Sequence, residues 1–215
     1  MNKIISNFLY IGSGIGLTLK LTFGGVFIGV VGGILLSILR YNGIGRSLIN
    51  AIVSVLRGTP LLLQLSFVYF IAPDVIGVRL DLLSAGILAF GINSSAYIAE
   101  IVRAGIESLP RGQFEAAQTL GIPRFYMWKD IILPQVITNI FPAMVNEVIA
   151  LLKETVLIAM IGGLDIMRRS QTIAAEQYEY FQPLCMAGIY YYGLVRLIES
   201  IGEKIEQRRP YAKSL

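Results

Sequence analysis

Residues 14–39 read GIGLTLKLTFGGVFIGVVGGILLSIL, and this stretch decides the class of the protein. Lys20 is its single charged residue. A helix that crosses the roughly 30 Å hydrocarbon core of a bilayer needs about 20 apolar residues. The stretch meets this length, and it is too long and too rich in glycine for a secretory signal peptide. We therefore predict that it is a transmembrane helix.

The composition of the whole chain agrees with this prediction. The chain has 215 residues, of which 55% are hydrophobic and 15% are charged. A soluble domain carries about 25% charged residues, because its surface must stay polar enough to face water. The apolar residues also fall in long blocks. We predict an all-α membrane protein that forms one domain over residues 1–215.

The blocks predict five transmembrane helices joined by short polar segments. Their approximate bounds are 14–39, 48–72, 82–106, 136–161 and 183–201. Cytoplasmic loops of membrane proteins carry an excess of Lys and Arg. A cytoplasmic C-terminus places ten basic residues inside and four outside. The ten are Arg40, Arg46, Arg103, Arg111, Arg124, Lys129, Lys204, Arg208, Arg209 and Lys213, and the four are Lys3, Arg79, Arg168 and Arg169. We predict that the N-terminus lies outside and that the loop 107–135 is cytoplasmic.

Several classes of site are excluded by the residues that the chain lacks. There is no histidine, so there is no imidazole base and no His-ligated metal. The single cysteine, Cys185, can form neither an internal disulfide nor a thiolate zinc site. The net charge of +4 comes from bases in the gaps between apolar blocks, not from one basic face. We expect no catalytic residue, no metal, no cofactor bound by this chain, and no nucleic-acid partner.

Glycines at every fourth position mark one face of the first predicted span. Gly25, Gly29 and Gly33 form two overlapping G-x-x-x-G steps. Such positions allow two helix backbones to approach closely within lipid. Two readings stay open: packing within one subunit, or an interface between two subunits.

The loop 107–135 is too long and too varied in composition to be a simple connector. Its sequence predicts a short helix from Gln113 to Leu120, ended by Gly121 as a left-handed cap. Pro123 suits the first turn of a second short helix. We predict a compact pair of helices that projects from the membrane into the cytoplasm.

The same loop carries a motif with fixed spacing. It is E-A-A-x3-G-x9-I-x-L-P, formed by Glu115, Ala116, Ala117, Gly121, Ile131, Leu133 and Pro134. The chain thereby resembles the permease subunits of bacterial ABC importers of type I. The segments 57–60, 93–100 and 152–155 make it similar to the branch that takes up polar amino acids. The resemblance covers nearly the whole chain.

This resemblance implies a fold, partners and a location. It implies a five-helix permease of the bacterial inner membrane whose loop 107–135 is a coupling segment, seated on a cytoplasmic ATPase subunit. ATP and Mg²⁺ belong to that partner, and this chain has no G-x-x-x-x-G-K-[ST] phosphate loop of its own. The implied assembly contains two ATPase subunits, a second permease subunit, identical or different, and an amino acid-binding protein outside the cell.

Ionisable residues inside predicted spans mark function by default because they are costly in lipid. Asn93, Tyr97 and Glu100 share one helical face of the third span, and Glu147 and Glu154 share one face of the fourth. Residues 57–60, Arg-Gly-Thr-Pro, interrupt the second span. These eight positions are the candidate substrate-binding residues: Arg57, Gly58, Thr59, Asn93, Tyr97, Glu100, Glu147 and Glu154.

Two readings of these charges stay open. They can form ion pairs that fix helix register, such as Glu100 with Arg103, or Glu147 or Glu154 with Lys153 or Arg57. They can instead line a pocket for a polar amino acid, in which Arg57 meets the α-carboxylate. A carboxylate of the fourth span then binds a cationic side chain, which favours arginine, lysine or histidine over glutamine or glutamate. The rival from another class is an ion-coupled secondary transporter, whose internal repeats are not seen here.

Overall fold

The computed structural model describes residues 3–207, and all regular structure within that range is helical. In chain order the α-helices are α1 (Lys3–Gly12), α2 (Ile15–Tyr41), α3 (Arg46–Gly58), α4 (Leu61–Ser66), α5 (Ala72–Ile76), α6 (Leu82–Glu107), α7 (Arg111–Thr119), α8 (Arg124–Tyr126), α9 (Leu133–Glu154), α10 (Ile166–Gln177) and α11 (Phe181–Gln207). Two π-helical segments, Phe67–Ile71 and Met127–Ile132, and one 3₁₀ segment, Thr155–Ile161, continue neighbouring helices. Three of the predicted cytoplasmic bases, Arg208, Arg209 and Lys213, lie outside the described residues.

Helix α6 shows how the sequence sets these bounds. Asp81 is its N-cap: the carboxylate accepts hydrogen bonds from the backbone N–H groups of Leu83 at 3.2 Å and Ser84 at 3.4 Å. A hydrogen bond with the Ser84 side chain, followed by these backbone bonds, lowers the pKa of Asp81. The helix then runs to Glu107, in agreement with the predicted third span.

Three helical stretches within residues 3–207 are long and apolar enough to cross a membrane. They are Lys3–Tyr41, Leu82–Glu107 and Phe181–Gln207. A fourth is counted if α3 and the helix that follows it, which meet at 104°, are taken as one broken span. Helix α9, which covers most of the predicted fourth span, is not among them. The five-span arrangement and the sides of the two termini therefore stay predictions.

Helices α2 and α6 pack along each other, and the glycines of α2 allow it. A methyl group on Gly29 would lie 2.7 Å from Ser94 Oγ, and one on Gly33 would lie 2.6 Å from Ile98 Cγ2. A methyl group on Gly91 of α6 would in turn lie 2.5 Å from Ile28 Cβ. The G-x-x-x-G steps thus serve packing within the subunit, the first of the two predicted readings.

One end of the molecule contains two helices that the sequence did not predict. α1 precedes the expected start of the first span, and α10 lies in the segment 162–182, between the predicted fourth and fifth spans. Ile11 of α1 and Ile166 of α10 are both fully buried in one apolar cluster with α11. The side-chain amides of Asn7 and Gln177 also exchange two hydrogen bonds of 3.2 Å.

Candidate functional site

The chain turns sharply at residues 57–60, which we call the elbow. Gly58 ends α3, and Thr59 and Pro60 are extended, with ψ angles of 147° and 133°. Pro60 explains this local structure because it has no N–H to donate and because it disfavours helical geometry at the preceding residue. The break predicted from the sequence is therefore present, and it redirects the chain by 104°.

Two side-chain amides fill the inside of the elbow. Gln64 Nε2 lies 2.8 Å from the carbonyl oxygen of Leu56, 3.2 Å from that of Thr59 and 2.9 Å from Thr59 Oγ1. Asn93 Nδ2 of α6 donates to the Leu56 carbonyl at 3.2 Å and to Gln64 Oε1 at 3.1 Å. The candidate Asn93 is only 4% exposed, and its N–H groups are engaged in holding the elbow.

Beyond Asn93 on the same face of α6 lies a charged group that we call the Glu100 cluster. Arg40 of α2 forms an ion pair with Glu100 Oε1. Arg103 binds Glu100 Oε2 through Nη2 at 2.8 Å and Nε at 3.0 Å. Arg57 approaches the same oxygen at 3.6 Å. The predicted ion pair between Glu100 and Arg103 is thus present, together with two further arginines.

A cavity of about 430 Å³ opens beside the Glu100 cluster. Its lining includes Arg57, Tyr97 and Glu100, together with residues of α9 such as Asn139. The Arg57 guanidinium lies 5.2 Å from the centroid of the Tyr97 ring, within the range of a cation–π interaction. Two arginines of the cluster line this cavity, Arg57 with 42% of its side chain exposed and Arg103 with 38%.

The two carboxylates of α9, Glu147 and Glu154, have different surroundings, and we call them the carboxylate pair. Glu147 Oε1 accepts a hydrogen bond of 2.7 Å from Ser94 Oγ on α6. No Lys or Arg among residues 3–207 lies within ion-pair distance of either carboxylate. Lys153 is exposed. The expected ion pairs of Glu147 and Glu154 with Lys153 or Arg57 are therefore not formed.

Helix α6 separates the candidate residues into two groups. Asn93, Tyr97 and Glu100 face the elbow, as their helical spacing predicts. Ser94, on another face, contacts α9. Sequence reasoning missed Gln64 and Arg40. A polar residue within an apolar run was the available signal for Gln64, and none was available for Arg40.

In the loop 107–135, Gly121 adopts a left-handed conformation with φ = 67°. The N–H of Ile122 donates to the Ala117 carbonyl and that of Gly121 to the Gln118 carbonyl, both at 3.0 Å. These two bonds form a Schellman cap. The predicted cap is therefore confirmed, although the helix begins earlier than expected, at Arg111.

The motif residues of this loop divide between inner and outer faces. Ala117 is 2% exposed and packs in a cluster with Met127 and Val136, so its small size serves packing within the loop. Glu115 and Ala116 are exposed, as a docking role requires. Of the remaining motif positions, Leu133 is exposed, whereas Ile131 and Pro134 are half-buried. Three large apolar side chains near the cap are also exposed: Leu120, Phe125 and Tyr126.

Comparison with known proteins gives a consistent match over nearly the whole chain. A family profile described as "Binding-protein-dependent transport system inner membrane component" matches residues 25–209. The putative glutamine transport system permease protein GlnP of Rickettsia typhi is 46% identical over 208 residues, which cover 96% of this chain and 95% of that protein. The arginine transport system permease protein ArtQ of Bacillus subtilis is 42% identical over 201 residues, with coverages of 93% and 92%.

Solved structures show the same fold. A crystal structure of an amino acid ABC transporter with histidines contains a chain that is 36% identical, with a TM-score of 0.87, over 95% of this chain and 96% of that one. An inward-facing structure of the MetNI methionine ABC transporter has a chain that is 22% identical, with a TM-score of 0.76 and coverages of 96% and 98%. The second similarity bears on the fold alone.

Proposed function

This chain belongs to the family of binding-protein-dependent transport system inner membrane components, the permease subunits of ABC importers, and we propose that it conducts a cationic amino acid. It is a multi-pass protein of the bacterial inner membrane and an amino acid permease, and it is not itself an enzyme. We propose the identity of the substrate, the residues that bind it and the partners of the chain.

The surroundings of the carboxylate pair are the observation from which we propose a cationic substrate. A carboxylate within a membrane-embedded bundle is costly unless a cation or hydrogen-bond donors compensate it. Glu100 has three arginines within 3.6 Å. Glu147 has one hydroxyl donor, and Glu154 has no hydrogen-bond partner among residues 3–207. A guanidinium or ammonium group of the substrate supplies the missing compensation.

Arg57 is the proposed receptor of the substrate α-carboxylate. Glu100 is already bound by Arg40 and Arg103, so Arg57 can turn from it at little cost to the cluster. Arg57 contacts α6 at Tyr97 and Glu100, and Glu147 contacts α6 at Ser94. Three to six residues of helix span about 4.5–9 Å along the axis. This is the axial part of the distance between the two sites of contact on α6, and an amino acid with a long cationic side chain can reach over it.

Transport requires partners, and the exposed part of the loop 107–135 is the proposed contact with an ATPase subunit. Two such subunits, a second permease subunit and an external binding protein complete the proposed importer. ATP-driven closure of the ATPase pair moves the loops, and the helical bundles then rock between outward-facing and inward-facing states.

A competition experiment tests the substrate. In proteoliposomes containing the full importer, we expect unlabelled arginine and lysine to inhibit uptake of labelled arginine more strongly than glutamine does. Glutamine is the second candidate because the relative from Rickettsia typhi is named for glutamine transport. Stronger inhibition by glutamine or glutamate would contradict the proposal for a cation.

The coupling to ATP is tested separately by Glu115→Lys. We expect this change to abolish ATP-dependent uptake while binding of substrate to the permease stays intact. Asp74→Lys is the matched control because Asp74 is an exposed acid that lies outside this loop. Uptake by the permease without any ATPase would instead favour the secondary transporter.

A further inference from the structure

We infer that Gln64 is a positioning residue for amino acid recognition: it fixes the elbow, and the elbow holds Arg57 at the cavity. The inference rests on the proposed function, since it concerns how the proposed site receives its substrate. Gln64 does not line the cavity that contains Arg57. It therefore acts through the backbone and not by contact with substrate.

The elbow leaves backbone carbonyls without helical partners, and side chains take their place. The Val55 carbonyl accepts a hydrogen bond of 2.8 Å from Thr59 Oγ1. The Leu56 carbonyl accepts from both Gln64 and Asn93, and the Thr59 carbonyl accepts from Gln64. A carbonyl without a hydrogen-bond partner is unfavourable within a membrane because no water is there to replace the partner. These bonds therefore favour one geometry of the elbow strongly over its alternatives.

A carboxamide is the side-chain group that this position requires. Gln64 must donate to carbonyls with Nε2 and accept from Asn93 with Oε1. Glutamate at this position would keep the acceptor but would bring a negative charge against two carbonyl oxygens. Methionine would keep the approximate length and lose every hydrogen bond.

The elbow is linked to amino acid recognition because Leu56 and Arg57 are neighbours in the chain. Leu56, whose carbonyl is held by two amides, directly precedes Arg57. The direction of the Leu56–Arg57 peptide determines where the Arg57 side chain starts. Its guanidinium then reaches the position 5.2 Å from the Tyr97 ring centroid and 3.6 Å from Glu100 Oε2. A relaxed elbow displaces the guanidinium even though Arg57 itself is unchanged.

The first experiment compares Gln64→Met with wild type in the complete reconstituted importer. The measurements are KM and kcat of L-arginine uptake and the inhibition by L-argininamide, which has a carboxamide in place of the α-carboxylate. Loss of the Gln64 hydrogen bonds is expected to raise KM about tenfold with kcat nearly unchanged, as for the loss of one or two hydrogen bonds. It should also weaken the preference for arginine over argininamide, as Arg57→Gln should. The double variant should be no worse than Arg57→Gln alone.

Gln177→Met is the matched control. Gln177 also exchanges hydrogen bonds with an asparagine, Asn7, at 3.2 Å, but it lies on α10, outside both the cavity and the loop 107–135. We expect its KM and its preference for arginine to equal those of wild type. A Gln64→Met variant that loses thermal stability but keeps the KM and the preference would overturn the inference.

A second experiment does not depend on the identity of the substrate. Cys185, the single cysteine, is first replaced by serine, and Arg57→Cys then provides one reactive thiol at the elbow. We expect Gln64→Met to change the rate at which a methanethiosulfonate reagent modifies this thiol by about tenfold or more. An unchanged rate would overturn the inference. If the rate changes but the importer transports neither arginine, lysine nor glutamine, the proposed function is refuted. The positioning role of Gln64 at the elbow is then still supported.

Discussion

The Glu100 cluster and the carboxylate pair contain the same ionisable group in two opposite environments. Glu100 lies where α2 and α3 bring Arg40 and Arg57 against α6, and Arg103 follows one turn later. Glu147 and Glu154 face a region without a cation within ion-pair distance among residues 3–207. The comparison teaches that neighbours, more than residue type or position in a span, separate a structural carboxylate from one available to a ligand.

The cause of the difference lies in the surface that α2 presents. Near its end, α2 supplies Arg40 to α6. Further from that end, α2 places Gly29 against α6. Ser94 of α6, which lies opposite Gly29, donates a hydrogen bond to Glu147. The same helix therefore compensates one carboxylate and leaves the other without a cation.

The largest expected effect is that of Glu100→Gln on stability. It leaves three arginines without their shared anion, and removal of one partner from a buried pair costs 3–5 kcal/mol. We expect about 3 kcal/mol because the arginines are partly exposed and solvent screens them. The measurement is the thermal midpoint of the purified permease. The double variant Glu100→Gln/Arg40→Gln should recover part of the loss. An unchanged midpoint for the single variant would show that the three arginines do not give Glu100 a structural role.

The next effect is that of Glu154→Gln on transport. Because Glu154 has no cation to lose, the thermal midpoint should change little. Uptake of arginine should fall about 10- to 100-fold, which corresponds to the 1.5–3 kcal/mol of a hydrogen bond to a charged group. Uptake assays with arginine and glutamine check this. Equal uptake of arginine by Glu154→Gln and wild type would remove the carboxylate pair from the proposed site.

A smaller effect is expected for Ser94→Ala. It removes the hydroxyl that donates to Glu147, a bond that contributes about 1 kcal/mol. The KM for arginine should rise about fivefold. Ser95→Ala is the control because Ser95 donates to the Gly91 carbonyl of its own helix and to the Ile28 carbonyl of α2, and not to Glu147. Equal effects of the two variants would assign the change to helix packing and not to Glu147.

The smallest effect is expected for Arg196→Gln. Arg196 forms an ion pair of 2.8 Å with Glu199, yet its side chain is 57% exposed. Exposed pairs of this kind add little to stability. We expect no measurable change in the thermal midpoint. A loss as large as that of Glu100→Gln would show that exposure does not separate the two kinds of ion pair.

Sequence patterns over a few neighbouring residues predicted the helices, turns and caps that such residues determine. Helices α6 and α11 follow from their apolar runs, the elbow follows from Pro60, and the cap of the short helix in the loop 107–135 follows from Gly121. The shared face of Asn93, Tyr97 and Glu100 follows from helical periodicity. Each of these inferences needs only a few neighbouring residues.

The parts that were missed depend on partners far along the chain. Gln64 meets Asn93 across 29 positions, and Arg40 meets Glu100 across 60. Helix α10 buries Ile166 and Ile173 against α1 and α11, so packing with distant segments stabilises it. No periodicity within one segment can reveal such contacts. Among residues 3–207, the lack of a Lys or Arg within ion-pair distance of Glu147 and Glu154 is likewise a property of the folded chain.

The glycine packing of α2 against α6 also has a mechanical consequence. Side chains of each helix fill the gaps of the other, and the Arg40–Glu100 ion pair joins the two near one end. Neither helix can slide or rotate past the other without a steric clash, so the two form one stiff rod. Helix α2 has 27 residues, or about 40 Å at 1.5 Å per residue. A displacement of the loop 107–135, which directly follows α6, therefore reaches the far end of α2 without being absorbed on the way.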